Sequence, residues 1–330
     1  MLWDIFILIA GLALIMGGAN ILTDGASALA RRWGVSDLVV GLTIVAFGTS
    51  TPELAISVTS AIQGNTGIAV GNVVGSNIFN ILVIVGAIAR VRPVRSTRDI
   101  MVNEIPMVVL SSTAILAIGM APLLGVPGAA MVSRVDGILL LLFFLIFMHY
   151  ILQQARHTAP GAEPAPDATP ATKKEMGLLK GVIWVLGGLA ALVIGGDIFV
   201  KGASGIARGL GVGEAIIGLT IVAMGTSLPD LAASVAAARK GNTGIAVGNV
   251  IGSCVFNAFM VLGAAAAVRP LPFGGIGMTD LVTLAGASVL FWLFGWFFKQ
   301  RTITRWEGSV MILCYIAYIT YLVLAELGKI

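Results

Sequence analysis

Long apolar runs recur from one end of the chain to the other, and they limit the possible folds more than any other feature. Each run has about the 20 residues that a helix needs to cross the hydrocarbon core of a bilayer. A soluble helical bundle would need charged helix faces, but only 11% of the residues are charged and 58% are apolar. Soluble domains contain about 25% charged residues. The sequence therefore predicts an all-α membrane protein.

We expect ten transmembrane helices. Their predicted spans are 3–30, 38–62, 66–89, 104–121, 135–153, 178–207, 214–238, 243–267, 279–298 and 306–327. The 42 glycines suit such a bundle, because small residues let helix backbones approach closely where lipid supplies no hydrophobic drive.

The formal net charge of +4 indicates topology rather than a nucleic-acid partner. With the N-terminus outside, 15 basic residues fall on the inner side and four on the outer side, while Lys201 lies within a span. The inner residues are Arg31, Arg32, Arg90, Arg92, Arg95, Arg98, Arg156, Lys173, Lys174, Lys180, Arg239, Lys240, Lys299, Arg301 and Arg305, and the outer ones are Arg134, Arg208, Arg269 and Lys329. Because basic residues accumulate in cytoplasmic loops, we expect both termini to lie outside a plasma (cell inner) membrane.

The chain is internally repeated. Residues 41–80 align with 218–257 without a gap, and 29 of the 40 positions are identical. The predicted domains are a first five-helix repeat at 1–154, a flexible cytoplasmic linker rich in Ala and Pro at 155–176, and a second five-helix repeat at 177–330. Because five is odd, the second repeat enters the membrane in the opposite sense. Such inverted repeats place the substrate site near the midplane, at interrupted helices.

A proline interrupts the second and the seventh predicted helix, in "GLTIVAFGTSTPE" and in "GLTIVAMGTSLPD". Pro52 cannot donate a hydrogen bond to the carbonyl of Gly48, and Pro229 cannot donate one to Gly225. We expect the main-chain oxygens around Ala46 and Ala223 to be freed for a ligand. Hydroxyl oxygens are added by Thr49, Ser50, Thr226 and Ser227.

Each break is followed by a carboxyl group, Glu53 or Asp230. A carboxylate at bilayer depth costs about 2.5–3.5 kcal/mol on insertion scales, so it marks a functional site by default. The alternative is a neutral carboxyl packed in the bundle, but two symmetry-related carboxyl groups beside two helix breaks favour a shared function.

The next span of each half carries "GNVVGSNIFN" or "GNVIGSCVFN", and we expect these third and eighth helices to be interrupted too. Polar residues there recur about every four positions and so lie near one helix face. Asn72 and Asn249 are open to two interpretations, as ligands or as hydrogen bonds between helices. The residues interpreted as ligands are Ser76, Asn80, Ser253 and Asn257.

The combined set of ligands consists of oxygen alone, from carboxylates, amides, hydroxyls and carbonyls. Hard cations such as Ca²⁺ and Na⁺ prefer oxygen, whereas zinc, copper and iron sites recruit nitrogen or sulfur. Mg²⁺ fits a flexible site less well, because it gives up its water reluctantly. The sequence therefore predicts a cage for Ca²⁺ or Na⁺ and no cofactor.

The doubled pair of motifs resembles the two alpha-repeats of the cation/calcium exchanger superfamily, in particular of the sodium/calcium exchangers. The resemblance covers nearly the whole chain. It implies that Glu53 and Asp230 bind Ca²⁺ or Na⁺ alternately. The residues that it implies as further ligands are Thr49, Ser50, Thr226, Ser227, Ser76, Asn80, Ser253 and Asn257, with the main-chain oxygens of Ala46 and Ala223.

These observations predict a secondary antiporter that exchanges Ca²⁺ for Na⁺ by alternating access in the lipid bilayer, without an obligatory protein partner. Coupling to H⁺ or to K⁺ is the alternative: Asp230 resembles the potassium-dependent branch, whereas the neutral Asn257 does not. A channel fits inverted repeats less well. A hydrolase using Glu53 and Asp230 as acid and base is disfavoured, because the sequence has no His, Cys or metal cluster at catalytic spacing.

Asp24 and Lys201 occupy equivalent positions in the first helices of the two halves and have opposite charges. We expect both to be solvated near opposite membrane faces, with at most a minor role in gating.

Overall fold

The computed structural model describes residues 2–95, 97–125, 128, 130–157, 176–209, 223–297 and 301–326. The helices within these residues are α1 Leu2–Trp33, α2 Asp37–Thr49, α3 Thr51–Gln63, α4 Thr66–Val91, α5 Ile100–Gly119, α6 Arg134–His157, α7 Leu178–Gly209, α8 Leu228–Arg239, α9 Thr243–Val268, α10 Met278–Phe297 and α11 Arg305–Glu326. Short helical turns occupy Ala121–Leu124 and Ala223–Gly225.

Eight of these helices are long and apolar enough to cross a membrane: α1, α4, α5, α6, α7, α9, α10 and α11. The consecutive helices α2 and α3 pass the same test together and are bent by 45° at Ser50, so the described part of the chain holds up to nine spans. This confirms a multi-pass helical membrane protein with an interrupted second helix. Of the predicted span 214–238, residues 214–222 lie outside the described residues, as does most of the predicted linker 155–176.

The predicted interruption of the third and eighth helices takes another form. Both α4 and α9 continue without a break, and each contains a π-helical segment, Asn80–Ile84 in α4 and Phe256–Val261 in α9. A π turn inserts one residue while the backbone hydrogen bonds continue. The prediction of broken helices was therefore wrong here, because no proline lies at these positions to remove a donor.

Glycines bring α1 and α7 into direct backbone contact. Glycines recur every seven residues on each helix: Gly11, Gly18 and Gly25 on α1, and Gly181, Gly188, Gly195 and Gly202 on α7. A Cβ atom added at Gly188 would lie 2.6 Å from the Leu22 nitrogen, and one added at Gly18 would lie 2.9 Å from the Gly188 oxygen. Only glycine therefore fits. The contact runs antiparallel, since Gly25 meets Gly181 while Gly202 meets Leu8.

Two short ladders connect the halves of the chain. The strand β1 (Val94–Arg95) follows α4 and pairs antiparallel with β4 (Thr302–Ile303), which precedes α11. The strand β2 (Met131–Val132) precedes α6 and pairs antiparallel with β3 (Leu271–Pro272), which follows α9. Each ladder thus joins the end of a central helix of one half to the last helix of the other.

The core is formed by α4 and α9, whose residues are mostly buried, whereas α1, α6 and α7 expose many apolar side chains. Exposed apolar surface is what lipid contact requires. The buried helices α4 and α9 are the ones that carry the predicted ligands.

Candidate ion-binding site

Glu53 lies in the first turn of α3, directly after the break. The break is at Ser50, whose φ is −90° and ψ is 5°. The nitrogen of Leu54 restarts the hydrogen-bond ladder by donating to the Ser50 oxygen at 3.2 Å. Pro52 fits the first turn, where no donor is needed. The Glu53 side chain is fully buried, and the helix N-terminus beside it favours negative charge.

The second half repeats this arrangement at Ser227, whose φ is −90° and ψ is 1°. Leu231 donates to the Ser227 oxygen at 3.1 Å, and Asp230 lies fully buried in the first turn of α8. The carboxyl groups of Glu53 and Asp230 interact electrostatically with each other. The structure therefore brings together the two acidic residues that the repeat predicted.

The two carboxyl groups differ in how firmly they are held. One oxygen of Asp230, Oδ1, accepts hydrogen bonds from the Ser253 hydroxyl at 2.7 Å and from Asn249 Nδ2 at 3.3 Å. Among the described residues, neither Glu53 oxygen nor Oδ2 of Asp230 has a hydrogen-bond partner. Leaving such oxygens buried and unsatisfied is costly. A bound cation would satisfy all three.

Further polar groups of the predicted site are buried without a hydrogen bond within the described residues: the hydroxyls of Ser50, Ser76 and Ser227, and the amides of Asn80 and Asn257. The Thr226 and Ser227 hydroxyls face Glu53, and Thr49 and Asn80 face Asp230. The predicted ligands thus surround the two carboxyl groups with neutral oxygens.

The main-chain prediction needs a correction. The oxygen of Ala46 accepts a hydrogen bond from the Ser50 nitrogen at 3.0 Å, so the break does not free it. Pro52 removes the donor that would reach Gly48, which lies two residues further along. The Ala46 carbonyl can serve a cation only through its second lone pair. The structure describes the backbone at Ala223, where a short helical turn begins.

Asn72 and Asn249, left open by the sequence, hold neighbouring helices together. Asn72 Nδ2 donates to the Ser57 hydroxyl at 2.9 Å, joining α3 to α4. Asn249 Nδ2 donates to the Ser234 hydroxyl at 2.9 Å, joining α8 to α9. The two serines were missed, although each stands four residues after the acidic residue, on the same helix face, and is identical in both halves.

These asparagines also connect the halves. The Thr49 hydroxyl lies 3.1 Å from Asn249 Oδ1, and the Thr226 hydroxyl lies 3.5 Å from Asn72 Oδ1. Only Asn249 reaches a carboxylate as well, which explains why Asp230 is held more firmly than Glu53.

Three other buried carboxyl groups, those of Glu104, Asp280 and Glu307, have hydrogen-bond partners outside this site. Glu104 accepts a hydrogen bond from the Tyr150 hydroxyl at 2.7 Å, and Asp280 accepts one from Tyr318 at 2.6 Å. No group of three or more His, Cys, Asp or Glu residues that could hold a metal ion occurs among the residues described. The donor set around Glu53 and Asp230 is therefore two carboxyl groups plus neutral oxygens, which suits a hard cation.

Comparison with known proteins places the chain among transporters. The family model described as "Sodium/calcium exchanger protein" matches residues 3–153 and 180–324. The putative antiporter CaxA of Alkalimonas amylolytica is 35% identical over 95% of this chain and 96% of its own length. The sodium/calcium exchanger MaX1 of Methanosarcina acetivorans is 32% identical over 97% and 98%.

The fold agrees with these relatives. A solved structure of the sodium-calcium exchanger NCX_Mj superposes with a TM-score of 0.81 and 28% identity, covering 97% of this chain and 98% of the other. These relatives are exchangers and antiporters rather than enzymes. The chain therefore belongs to the sodium/calcium exchanger protein family of membrane transporters.

Proposed function

We propose that the protein exchanges Ca²⁺ for Na⁺ across a membrane by alternating access, and that both ions compete for the site around Glu53 and Asp230. The observation that carries this proposal is the pair of fully buried carboxyl groups, three of whose oxygens have no hydrogen-bond partner among the described residues. One Ca²⁺, or two or more Na⁺, would neutralise the formal charge of minus two. A doubly negative empty site is costly to carry through the membrane interior, which makes exchange obligatory.

The ligands in this proposal are the carboxyl groups of Glu53 and Asp230 with the surrounding neutral oxygens. The neutral oxygens come from Thr49, Ser50, Ser76, Asn80, Thr226, Ser227, Ser253 and Asn257 and from the main chain of Ala46 and Ala223. Ca²⁺ accepts 6–8 oxygen ligands in flexible geometry, and the unequal fixing of the two carboxyl groups supplies that flexibility.

We further propose ten membrane helices in two inverted repeats. The equivalent helices α1 and α7 run antiparallel, and the two strand ladders join the halves reciprocally. The equivalent residues Asn77 and Cys254 touch, with Asn77 Nδ2 donating to the Cys254 oxygen at 3.1 Å, as expected beside a two-fold axis. In this arrangement both termini lie outside the plasma (cell inner) membrane and the linker 155–176 is cytoplasmic.

The proposal is tested with purified protein in proteoliposomes loaded with Na⁺. We expect an outward Na⁺ gradient to drive ⁴⁵Ca²⁺ uptake, and we expect uptake to stop when the gradient is abolished with monensin. To test proton coupling, ⁴⁵Ca²⁺ uptake is also measured with a pH gradient in the absence of Na⁺. Uptake driven by the pH gradient alone, with no response to Na⁺, would contradict the proposal.

Because the side chain of Asn257 is neutral, we expect that this exchange does not require K⁺. An amide adds an oxygen ligand without charge, whereas a third carboxylate would require a further monovalent cation in a low-dielectric site. We expect undiminished Na⁺-driven Ca²⁺ uptake when K⁺ is replaced by an inert organic cation, and we expect Asn257→Asp to introduce K⁺ or pH dependence. Loss of wild-type exchange on removal of K⁺ would show that Asp230, rather than Asn257, indicates the coupling ion.

A further inference from the structure

Three contacts join the C-terminal half of α1 to the turn between α8 and α9, and we name them the α1 latch. Lys240 Nζ lies 3.0 Å from a carboxylate oxygen of Asp24 and donates to the main-chain oxygen of Asn20 at 2.7 Å. Asn242 Nδ2 donates to the Ser27 hydroxyl at 2.5 Å. Asp24 is therefore half-buried in an ion pair, which corrects the expectation that it is solvated.

The internal repeat shows which residues on the opposite face are equivalent to those of the α1 latch. The residues equivalent to the ion pair do not form one. The equivalents of Asp24 and Lys240 are Lys201 and Gln63, which cannot form an ion pair. Lys201 instead pairs at 2.6 Å with Asp197 on its own helix, exposed to solvent. The sequence thus supplies opposite charges for a latch on one face only.

The hydrogen bond of the latch also has no counterpart on the opposite face among the residues described. The equivalents of Ser27 and Asn242 are Ser204 and Asn65. Within the part of the chain that the structure describes, the Ser204 hydroxyl is buried without a hydrogen bond, and Asn65 is exposed. The groups needed for this second contact are therefore present but apart.

The helices next to the site are also packed more closely on the face that bears the α1 latch than on the opposite face. On the latched face α8 packs against α1, and Ala233 of α8 is 2% exposed. Its equivalent on α3, Ile56, is 37% exposed and lines a crevice of about 240 Å³ between α3 and α7. The crevice reaches Thr226 beside Glu53. The site is thus covered on one face and approached by a crevice on the other.

We infer that the α1 latch holds the face bearing Lys240 closed, so that the protein rests with its ion site open to the opposite face. This inference rests on the proposed alternating access, because only a protein that opens to both faces needs such a bias. Opening toward the Lys240 face must break the ion pair and separate Asn242 from Ser27. The equivalent residues Gln63 and Lys201 cannot form this ion pair on the opposite face, so the contact holds only one of the two states.

The test measures opening of the latched face without any transport. A cysteine at Ala233, in a chain with Cys254→Ser and Cys314→Ser, is labelled in nanodiscs with a water-soluble, charged thiol reagent. We expect slow labelling in this parent protein. Asp24→Asn and Lys240→Gln should each accelerate it by up to roughly fivefold, the largest change that loss of a partly exposed ion pair allows, and the double variant should add little further. Exchange of the charges, Asp24→Lys with Lys240→Asp, should restore slow labelling.

The matched control is Asp197→Asn, which removes an aspartate–lysine pair that joins no two helices. We expect it to leave labelling at position 233 unchanged. A gain-of-function variant gives an independent arm: Gln63→Asp with Asp197→Asn offers Lys201 a partner across the opposite face, and it should slow labelling of a cysteine at Ile56. Unchanged labelling in both single latch variants, or equal acceleration by Asp197→Asn, would overturn the inference.

The latch variants keep every proposed ligand, so Ca²⁺ binding should remain. Absence of Na⁺-driven Ca²⁺ uptake combined with the expected labelling pattern would overturn the proposed ions and keep the latch. Normal uptake combined with unchanged labelling would overturn the latch alone.

Discussion

Glu53→Gln and Asp230→Asn are each expected to weaken Ca²⁺ binding by on the order of 100-fold or more, because each removes half of the formal charge opposite a divalent ion in a low-dielectric site. Both substitutions keep the size of the side chain, so the protein should remain folded. Binding is measured by ⁴⁵Ca²⁺ equilibrium dialysis of purified protein, with size-exclusion profiles recorded for each variant.

The control for charge removal is Glu104→Gln. Glu104 is also fully buried, but its partners are Tyr150 and Gln154, and it lies outside the site. We expect this variant to bind Ca²⁺ as the wild type does. Wild-type affinity in Glu53→Gln or in Asp230→Asn would contradict the assignment of the site, and a loss in Glu104→Gln as large as in those variants would mean that the effect is not specific.

Gly188→Leu is expected to produce the largest loss of stability. A Cβ atom at this position would lie 2.6–2.8 Å from Leu22 backbone and Cβ atoms, so α1 and α7 must separate. Overpacking typically costs about 1–3 kcal/mol and occasionally more, and a whole leucine side chain against backbone belongs at the upper end. We expect the apparent melting temperature to fall by several degrees, measured by fluorescence-detected size exclusion after heating.

The neighbouring residue provides the matched control. A Cβ atom at Gly187 meets nothing within 4 Å, so Gly187→Leu adds the same side chain to the same helix without a clash. Its melting temperature should stay close to that of the wild type. Equal losses in the two variants would show that helix flexibility, rather than contact with α1, explains the need for glycine.

The proximity of the two buried carboxyl groups was more predictable from the sequence than the helix geometry was. The repeat identified Glu53 and Asp230 because both copies of the motif contain a carboxyl group that is costly to bury. Pro52 identified the bend because proline lacks the backbone N–H that a continuous helix needs at that position. The π-helical segments of α4 and α9 were not predictable, since one extra residue in a continuous apolar helix leaves no local signal. The prediction that the Ala46 carbonyl is freed was wrong, because the backbone nitrogen of Ser50 still donates a hydrogen bond to it before the helix breaks.

The α1 latch shows a different limit. Asp24 and Lys240 are far apart in the sequence, and equivalent positions in a repeat carry no information on which residues meet. The structure supplies the contact, and the repeat then shows that Lys201 and Gln63 cannot copy it. Sequence and structure together give an asymmetry that neither shows alone.

If Ca²⁺ and Na⁺ occupy one site, Na⁺ must compete with Ca²⁺ for binding to the purified protein. ⁴⁵Ca²⁺ binding isotherms of the purified protein are measured at increasing Na⁺, with ionic strength held constant by an organic cation. Competition for one site predicts that the apparent Kd for Ca²⁺ rises steeply with Na⁺, as more than one Na⁺ replaces each Ca²⁺, while the number of Ca²⁺ bound at saturation stays the same. An apparent Kd that does not change with Na⁺ would contradict the account, because Ca²⁺ and Na⁺ would then bind at separate places.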